Sequence, residues 1–390
     1  NSKHLILSHN CIYQLYLIPN KEHESEKYNS LLSILNKCST AIGRRLCKAR
    51  LLYPILDPEE LNKRYSMIEK FQEDDLYSSL VPNLRKILDI EKLHRRMALS
   101  LLSPYEFYSI HSSYLYLQKL TLSVLETKPE VMIEHNTTCK RMNDFMIQYE
   151  TIFDIQELEK YSLINMSTSV FKSGIYPEID IIQEQITDGH NNIDLIATVL
   201  GKYIDPKKGG SVKKDCNDKY GYHLYVTDNR AKTFKKRIDC MKDPHINCGE
   251  LSLDLRKVLF VRKGSNTHIE FPFLNHVANK LQADQMKIQA MNKRCYLDVI
   301  VGFHAEHLDL FSDLVSLVGF LDLNTCMAKV SVENVYCKPE IIVSSSSSFV
   351  AKNIRHPIVE KVQTEIEYVP NDIHLSEDGI LLFGTNACGK

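Results

Sequence analysis

The residues best suited to chemistry are Gly384-Thr385-Asn386-Ala387-Cys388-Gly389-Lys390, a GxxxxGK pattern. Small residues between two glycines let successive backbone N–H groups converge on phosphate oxygens, and a lysine in the last place neutralises the β- and γ-phosphates of a nucleotide. Ile380 to Phe383 is an apolar run leading directly into the loop, as the strand before a phosphate loop must. The Ser or Thr that would hold Mg²⁺ belongs immediately after Lys390, so the Mg²⁺ ligands are expected beyond the C-terminus.

A second chemistry lies in charge. Between Lys202 and Lys263 there are 16 Lys and Arg against 8 Asp and Glu, whereas the whole chain is close to neutral at −1. The densest positions are Lys207, Lys208, Lys213 and Lys214, followed by Arg230, Lys232, Lys235, Lys236 and Arg237. Such clusters displace condensed counterions from a nucleic-acid backbone and give salt-sensitive, sequence-independent affinity. Few aromatics stand among them, which suits backbone contact better than base stacking.

The elements that must position these groups are mostly helical. Asp57-Pro58-Glu59-Glu60 and Ser103-Pro104-Tyr105-Glu106 both read as helix starts, each with an N-cap, a proline in the first helical place and a Glu behind it. Leu76, Leu80, Leu84, Ile87 and Ile90 recur at helical spacing. A second tract from Asn136 to Tyr203 is broken near Lys172-Ser173-Gly174 and Tyr176-Pro177, and its later half, Ile179 to Leu200, reads as a long arm. After Asp205-Pro206 the runs become short and β-like, as in GYHLYVT and KVLFVRK. Beyond Phe271-Pro272-Phe273 a helix returns with coiled-coil-like spacing at Leu274, Val277, Leu281, Ile288, Met291 and Cys295. MAKVSV, EIIV and GILLFG read as strands, with Ser344 to Ser348 as a loop.

Composition sets the remaining bounds. A chain of 390 residues with 44% hydrophobic content can bury substantial cores in two or three units. Its 11 cysteines are scattered without CxxC spacing, which points away from zinc and toward reduced thiols in an intracellular compartment. The most apolar stretch, Leu308 to Leu323, is interrupted by Asp309, Asp313 and Asp322, so no membrane-spanning helix is expected. Asn1 is not an initiator Met, and both ends read as cut.

Taken in order, these segments resemble the MutS family of DNA mismatch-repair ATPases. LLSILNKCSTAIGRRLCKARLLYPILDPEELNKRYSMIEKF and NLRKILDIEKLHRRMAL are similar to the opening of that family's core domain. YHLYVTDNRAKTF resembles its clamp, IRHPIVEKV its Arg-His-Pro element and LLFGTNACGK its phosphate loop. Where the common bacterial loop reads GPNMGGK, Thr385 and Cys388 depart from it, and the variant looks closer to the giant-virus and octocoral-mitochondrial branch.

The resemblance implies a multidomain, mainly α fold: a long helical core and lever with an inserted β-rich clamp, followed by the truncated beginning of an α/β P-loop ATPase domain. The expected segments are the end of a connector at 1–27, helical core at 28–135, lever helices at 136–204, clamp tip at 205–270, returning lever helix at 271–325 and the start of the ATPase domain at 326–390. It implies ATP with Mg²⁺ as cofactors, double-stranded DNA and a dimer partner of the same family, in all expectation a homodimer, and no membrane. Tyr368 falls where the family places an aromatic that stacks on adenine, Asn386 where it has the Asn of its loop, and His356 where a loop is oriented rather than chemistry done. Mismatch probing by a preceding domain and catalysis by a later carboxylate are implied for the parent, not for this stretch. The alternatives are a MutS-like recombination clamp without mismatch probing and a non-enzymatic helical scaffold.

Overall fold

The structure, a computed structural model, describes residues 3–19, 27–204, 211–217, 221–242, 244–248, 251–344, 346–362, 365, 367–375 and 379–380. Helices dominate it: α1 (His9–Gln14), α2 (Leu31–Leu35), α3 (Ala41–Leu52), α4 (Pro58–Gln72), α5 (Leu76–Leu84), α6 (Ile90–Ala98), α7 (Pro104–Thr127), α8 (Asn136–Ile152), α9 (Ile155–Leu158), α10 (Pro177–Ile204), α11 (Asp228–Asp239), α12 (Pro272–Asn334) and α13 (Val359–Val362). Between α10 and α12 in the chain lie β1 (Lys213–Asn217), β2 (Gly221–Val226), β3 (His245–Cys248), β4 (Leu251–Asp254), β5 (Leu259–Lys263) and β6 (Asn266–Glu270); β7 (Phe349–Ile354) and β8 (Asn371–Leu375) follow α12. The chain folds as two compact units, one of Asn1–Arg96, Ser109–Met146 and Glu306–Lys390, the other of Met97–Tyr108 and Ile147–Ala305.

Both expected helix starts are present. Asp57 accepts hydrogen bonds from the backbone N–H of Glu59 and Glu60, with Pro58 in the first helical place. Ser103 and Glu106 form a reciprocal capping box, the Ser103 N–H reaching Glu106 Oε2 at 2.9 Å and the Glu106 N–H reaching Ser103 Oγ at 3.3 Å.

The core of the first unit is built on helical stripes. Leu76, Leu80, Leu84, Ile87 and Ile90 are all buried, as are Leu310, Leu314, Leu317, Val318 and Leu321 of α12. His94 stacks on Phe311 at 4.3 Å and its Nε2 lies 2.6 Å from the Tyr114 hydroxyl. One charged group sits inside this core. Asp322, 1% exposed, accepts from the backbone N–H of Ser39 (2.9 Å) and Thr40 (2.7 Å) and from the Thr40 hydroxyl (2.7 Å). Thr40 in turn caps α3 by accepting from the Gly43 N–H. A carboxylate at a helix N-terminus satisfies amides left without intrahelical partners and meets the positive end of the helix dipole.

In the second unit the arm reads as expected: Ile179, Ile182, Ile186, Ile193, Ile196 and Leu200 are buried along α10. A Cβ on Gly189 would lie 3.2 Å from Leu281 Cδ1, so the glycine lets α10 and α12 approach closely. Phe107 packs edge-on against Tyr149 at 5.1 Å and against Phe153 at 5.2 Å. Asn292, fully buried on α12, donates to the carbonyls of Met166 (3.3 Å) and Thr168 (2.8 Å), tying down a stretch that has no ladder of its own.

Three expectations need correction. MAKVSV is not a strand: α12 continues through it to Asn334. Val332 is 47% exposed, and the inward positions are Leu323, Cys326, Val330 and Asn334, spaced by three and four as in a helix. EIIV has no regular structure; the strand expected at GILLFG falls largely outside the described residues. Finally, α12 is long and apolar enough to cross a membrane despite its aspartates, and 67% of its most apolar window is buried inside the protein, as in the central helix of a packed core.

The α12 helix ends in a Schellman arrangement, with the Tyr336 N–H bonded to Ser331 O (2.9 Å) and the Val335 N–H to Val332 O (3.3 Å). Val335 stands at φ +54° in the place normally taken by glycine. A left-handed β-branched residue costs roughly 1–2 kcal/mol, so something must hold it there.

Candidate functional site

The basic segment folds on a four-stranded antiparallel sheet of order β1-β2-β6-β5. Leu224, Val226 and Ile269 are buried on one side of it. Against that side packs α11, whose buried positions are Ala231 and Phe234, with Phe234 edge-on to Phe260 at 5.5 Å. Asp228 in its first turn accepts from the Thr267 hydroxyl and pairs with Arg262 at 3.3 Å. This helix was not legible as one in a β-like reading. Its signal is a Thr227-Asp228 start followed by Ala231, Phe234 and Ile238 at helical spacing, outnumbered by charges.

The structure separates the sequence-predicted cations by what they touch. Lys207 and Lys208 lie outside the described residues. Lys213 is exposed on β1, paired in register with Tyr225. Lys214 is engaged by Asp194 of α10 at 2.6 Å. Lys235 lies 5.6 Å from the centre of the Phe260 ring, a cation–π contact that holds its stem against the sheet. Arg237 donates through Nη1 to the carbonyls of Tyr203 (2.7 Å) and Ile204 (3.0 Å), the last residues of α10. A guanidinium there satisfies carbonyls left open at a helix C-terminus and meets its negative pole.

What remains is one face of α11. Lys232 and Lys236 are exposed and one helical turn apart, and neither has an ion-pair partner among the described residues; Arg230, half-buried, is likewise without one. Like charges at i,i+4 destabilise a helix by about 0.2–0.5 kcal/mol, so this pair works against local stability. Residues that oppose the stability of their own element are expected where a ligand neutralises them.

The electrostatics of the same unit carry two depressed imidazoles. Burial, reinforced by the Lys214 ammonium, holds His190 below its ordinary value; its ring meets Tyr222 edge-on at 5.3 Å. Burial, then the neighbouring His223, does the same to His268, the two rings stacking at 4.3 Å.

The candidate nucleotide residues Gly384, Thr385, Asn386, Ala387, Cys388, Gly389 and Lys390 lie outside the described residues. The approach to them does not. Tyr368 is half-buried, and its hydroxyl accepts from the His356 N–H at 2.9 Å. The His356 ring accepts from the Val359 N–H at 3.3 Å, so it orients the first turn of α13 as expected. Arg355 donates to Asn334 O (2.7 Å) and Val335 O (3.1 Å) and pairs with Glu360 at 3.1 Å. Among the described residues no cluster of His, Cys, Asp and Glu has the makings of a metal site, and nine of the cysteines there are free thiols.

Residues 10–328 match a family profile described as MutS domain III. Among curated proteins the chain is 30% identical over 392 residues to a mutS homologue of Acanthamoeba polyphaga mimivirus, covering 96% of this chain and 35% of that protein. It is 27% identical over 405 residues to a mitochondrial DNA mismatch repair protein mutS homologue of Sarcophyton glaucum, covering 99% and 38%. It is 26% identical over 397 residues to the DNA mismatch repair protein MutS of Petrotoga mobilis, covering 99% and 44%. The chain therefore spans well under half the length of the curated relatives it matches.

Proposed function

This chain belongs to the MutS family of DNA mismatch-repair proteins, and from that premise we propose that it is the part of such a protein that grips duplex DNA and couples its grip to ATP. Residues 205–270 act as the clamp, α10 and α12 as its levers, and the segment after α12 as the start of the ATPase domain. The observation that carries the reading is the exposed pair Lys232 and Lys236, on a helix whose opposite face is anchored to the sheet and, through Arg237, to the end of α10. Lysines so presented contact phosphates without reading sequence, which is what a protein that must ride along a duplex requires.

ATP, when bound with Mg²⁺, supplies the free energy that distinguishes a closed grip from an open one. On this chain's side, Tyr368 would offer a ring to the base, and residues 384–390 would hold the phosphates, with Lys390 supplying the positive charge that neutralises them. A second copy of the same family completes the nucleotide site and closes the ring around DNA. The role given to Tyr368 is supported by its hydroxyl, which accepts from the His356 N–H and so tethers one end of the ring before any ligand arrives.

The test uses the full-length protein on a mismatched duplex. Lys390→Ala is expected to retain DNA binding and lose ATP-triggered release. Lys232→Glu with Lys236→Glu is expected to lose binding itself. Normal ATP turnover in the first variant sinks the nucleotide reading, and undiminished binding at low salt in the second sinks the clamp.

A further inference from the structure

The end of α12 is held by a single side chain that comes from twenty residues further on. The Arg355 guanidinium donates to the carbonyls of both Asn334 and Val335, lies 5.9 Å from the centre of the Tyr336 ring, and is fixed from behind by Glu360 at 3.1 Å. Glu360 is itself almost enclosed, with 9% of its side chain exposed, and its other oxygen faces the Tyr336 hydroxyl at 3.5 Å. Asn334, buried, folds its own amide back onto Val330 O at 2.7 Å.

This clasp closes over a residue that resists its conformation. Val335 is left-handed, β-branched and 81% exposed, so no packing of its own side chain explains why it stays there. The two carbonyls flanking the strained residue are the two that Arg355 holds. The next residue, His356, gives its backbone N–H to the Tyr368 hydroxyl. One peptide therefore joins the guanidinium on the helix end to the ring proposed to carry the nucleotide base.

We infer that Arg355 is a positioning residue which keeps the left-handed end of α12 in place, and that the Tyr368 hydroxyl ties the base-stacking ring to that clasp, so that nucleotide on the ring tightens the terminus of the helix. The second half rests on the reading of Tyr368 given above; the first half does not. The junction has two arrangements available to it: the Schellman end with Val335 left-handed, and a released end in which Val335 returns to the right-handed region and the last carbonyls turn to solvent.

Hydrogen exchange of the segment 331–337 in the full-length protein, with and without ATP, decides it. Arg355→Gln is expected to raise exchange there about tenfold without nucleotide, as local opening becomes easier, and Arg355→Lys to restore part of the protection. Val335→Gly removes the strain, so adding Arg355→Gln to it is expected to raise exchange by less than about threefold. A merely structural arginine would give the same increase in both backgrounds, and that equality overturns the clasp. ATP is expected to slow exchange at 331–337 in the native protein and to lose this effect in Tyr368→Phe. Persistence of ATP protection in Tyr368→Phe overturns the link to the ring. Failure of ATP to bind the native protein, read separately by equilibrium dialysis, sinks the nucleotide reading while the arms without nucleotide still decide the clasp.

Discussion

Asp322 occupies the space that any side chain on Gly43 would need: a Cβ built there would lie 2.1 Å from Oδ2 and 2.9 Å from the Asp322 Cβ. The glycine in the third position of α3 and the aspartate in the apolar run of α12 are thus a single device, a helix N-terminus seated on a buried carboxylate from a distant part of the chain. Replacing Asp322 by Ala leaves the Ser39 and Thr40 amides without acceptors, a loss of about 3 kcal/mol. Asn, which keeps one acceptor but brings a donor, should cost less. Gly43→Ala should be nearly as damaging as Asp322→Ala, and the double variant should cost much less than the sum. Chemical denaturation of the four proteins checks this; additive losses would mean that the two residues act separately.

The exposed lysines of α11 and its Arg237, engaged at the end of α10, should behave differently toward salt. Lys232→Ala and Lys236→Ala should each lower the slope of log K against log salt by about 0.9 for duplex DNA. Titration at several salt concentrations reads the slope directly, and an unchanged slope in the double variant removes these lysines from the interface.

Arg237→Ala should leave that slope nearly intact. Its guanidinium is spent on the carbonyls of Tyr203 and Ile204, so the loss should appear as reduced stability of the tip, on the order of 1 kcal/mol. Limited proteolysis between α10 and β1 is the direct assay. If the slope falls as far as it does for Lys236→Ala, Arg237 contacts phosphate instead.

Acid should loosen the first unit through two of its histidines. Burial holds both His135 and His307 below the ordinary imidazole value, each packed on an aromatic ring, Phe320 at 4.7 Å and Phe145 at 4.6 Å. A group whose folded pKa is depressed binds its proton more readily when unfolded. The stability it provides is complete above about pH 6.5 and drains away as pH falls through the lower folded value. Melting temperature should therefore drop as pH falls below about 6.5, whereas Asp89, held low by Arg45, keeps its charge further into acid than an ordinary carboxylate. His135→Asn with His307→Asn should flatten the profile there, and an unaltered pH profile would locate the loss elsewhere.

The parts of this fold that were legible in the sequence are those in which one helix face is apolar and the ends carry their own caps. Asp57-Pro58 and Ser103 to Glu106 announce helices locally, and the isoleucines of α10 mark its buried stripe without any partner in view. The parts that stayed hidden depend on residues far apart in the chain. Nothing around Asp322 tells that its oxygens meet Ser39 and Thr40, and it read only as an interruption of an apolar run. The helix α11 was obscured because most of its residues are charged, and MAKVSV, a short segment that read as a strand, is instead the last part of the long helix α12. Of the candidate site, the basic cluster was visible as composition. Which of its members are engaged by Asp194, Phe260 or the end of α10 needed the fold.

The two outer strands of the four-stranded sheet, β1 and β5, each carry an adjacent pair of cations, Lys213 with Lys214 and Arg262 with Lys263. An open strand rim offers its unused backbone groups to any similar rim, and two copies of this sheet would otherwise be free to zip together into larger aggregates. Charged side chains along both rims, Lys213 exposed on β1 and Arg262 and Lys263 on β5, oppose such pairing. Most of these cations are held in ion pairs within the fold, Lys214 with Asp194, Arg262 with Asp228 and Lys263 with Glu270, so the rims are guarded by charge without being left as bare positive edges.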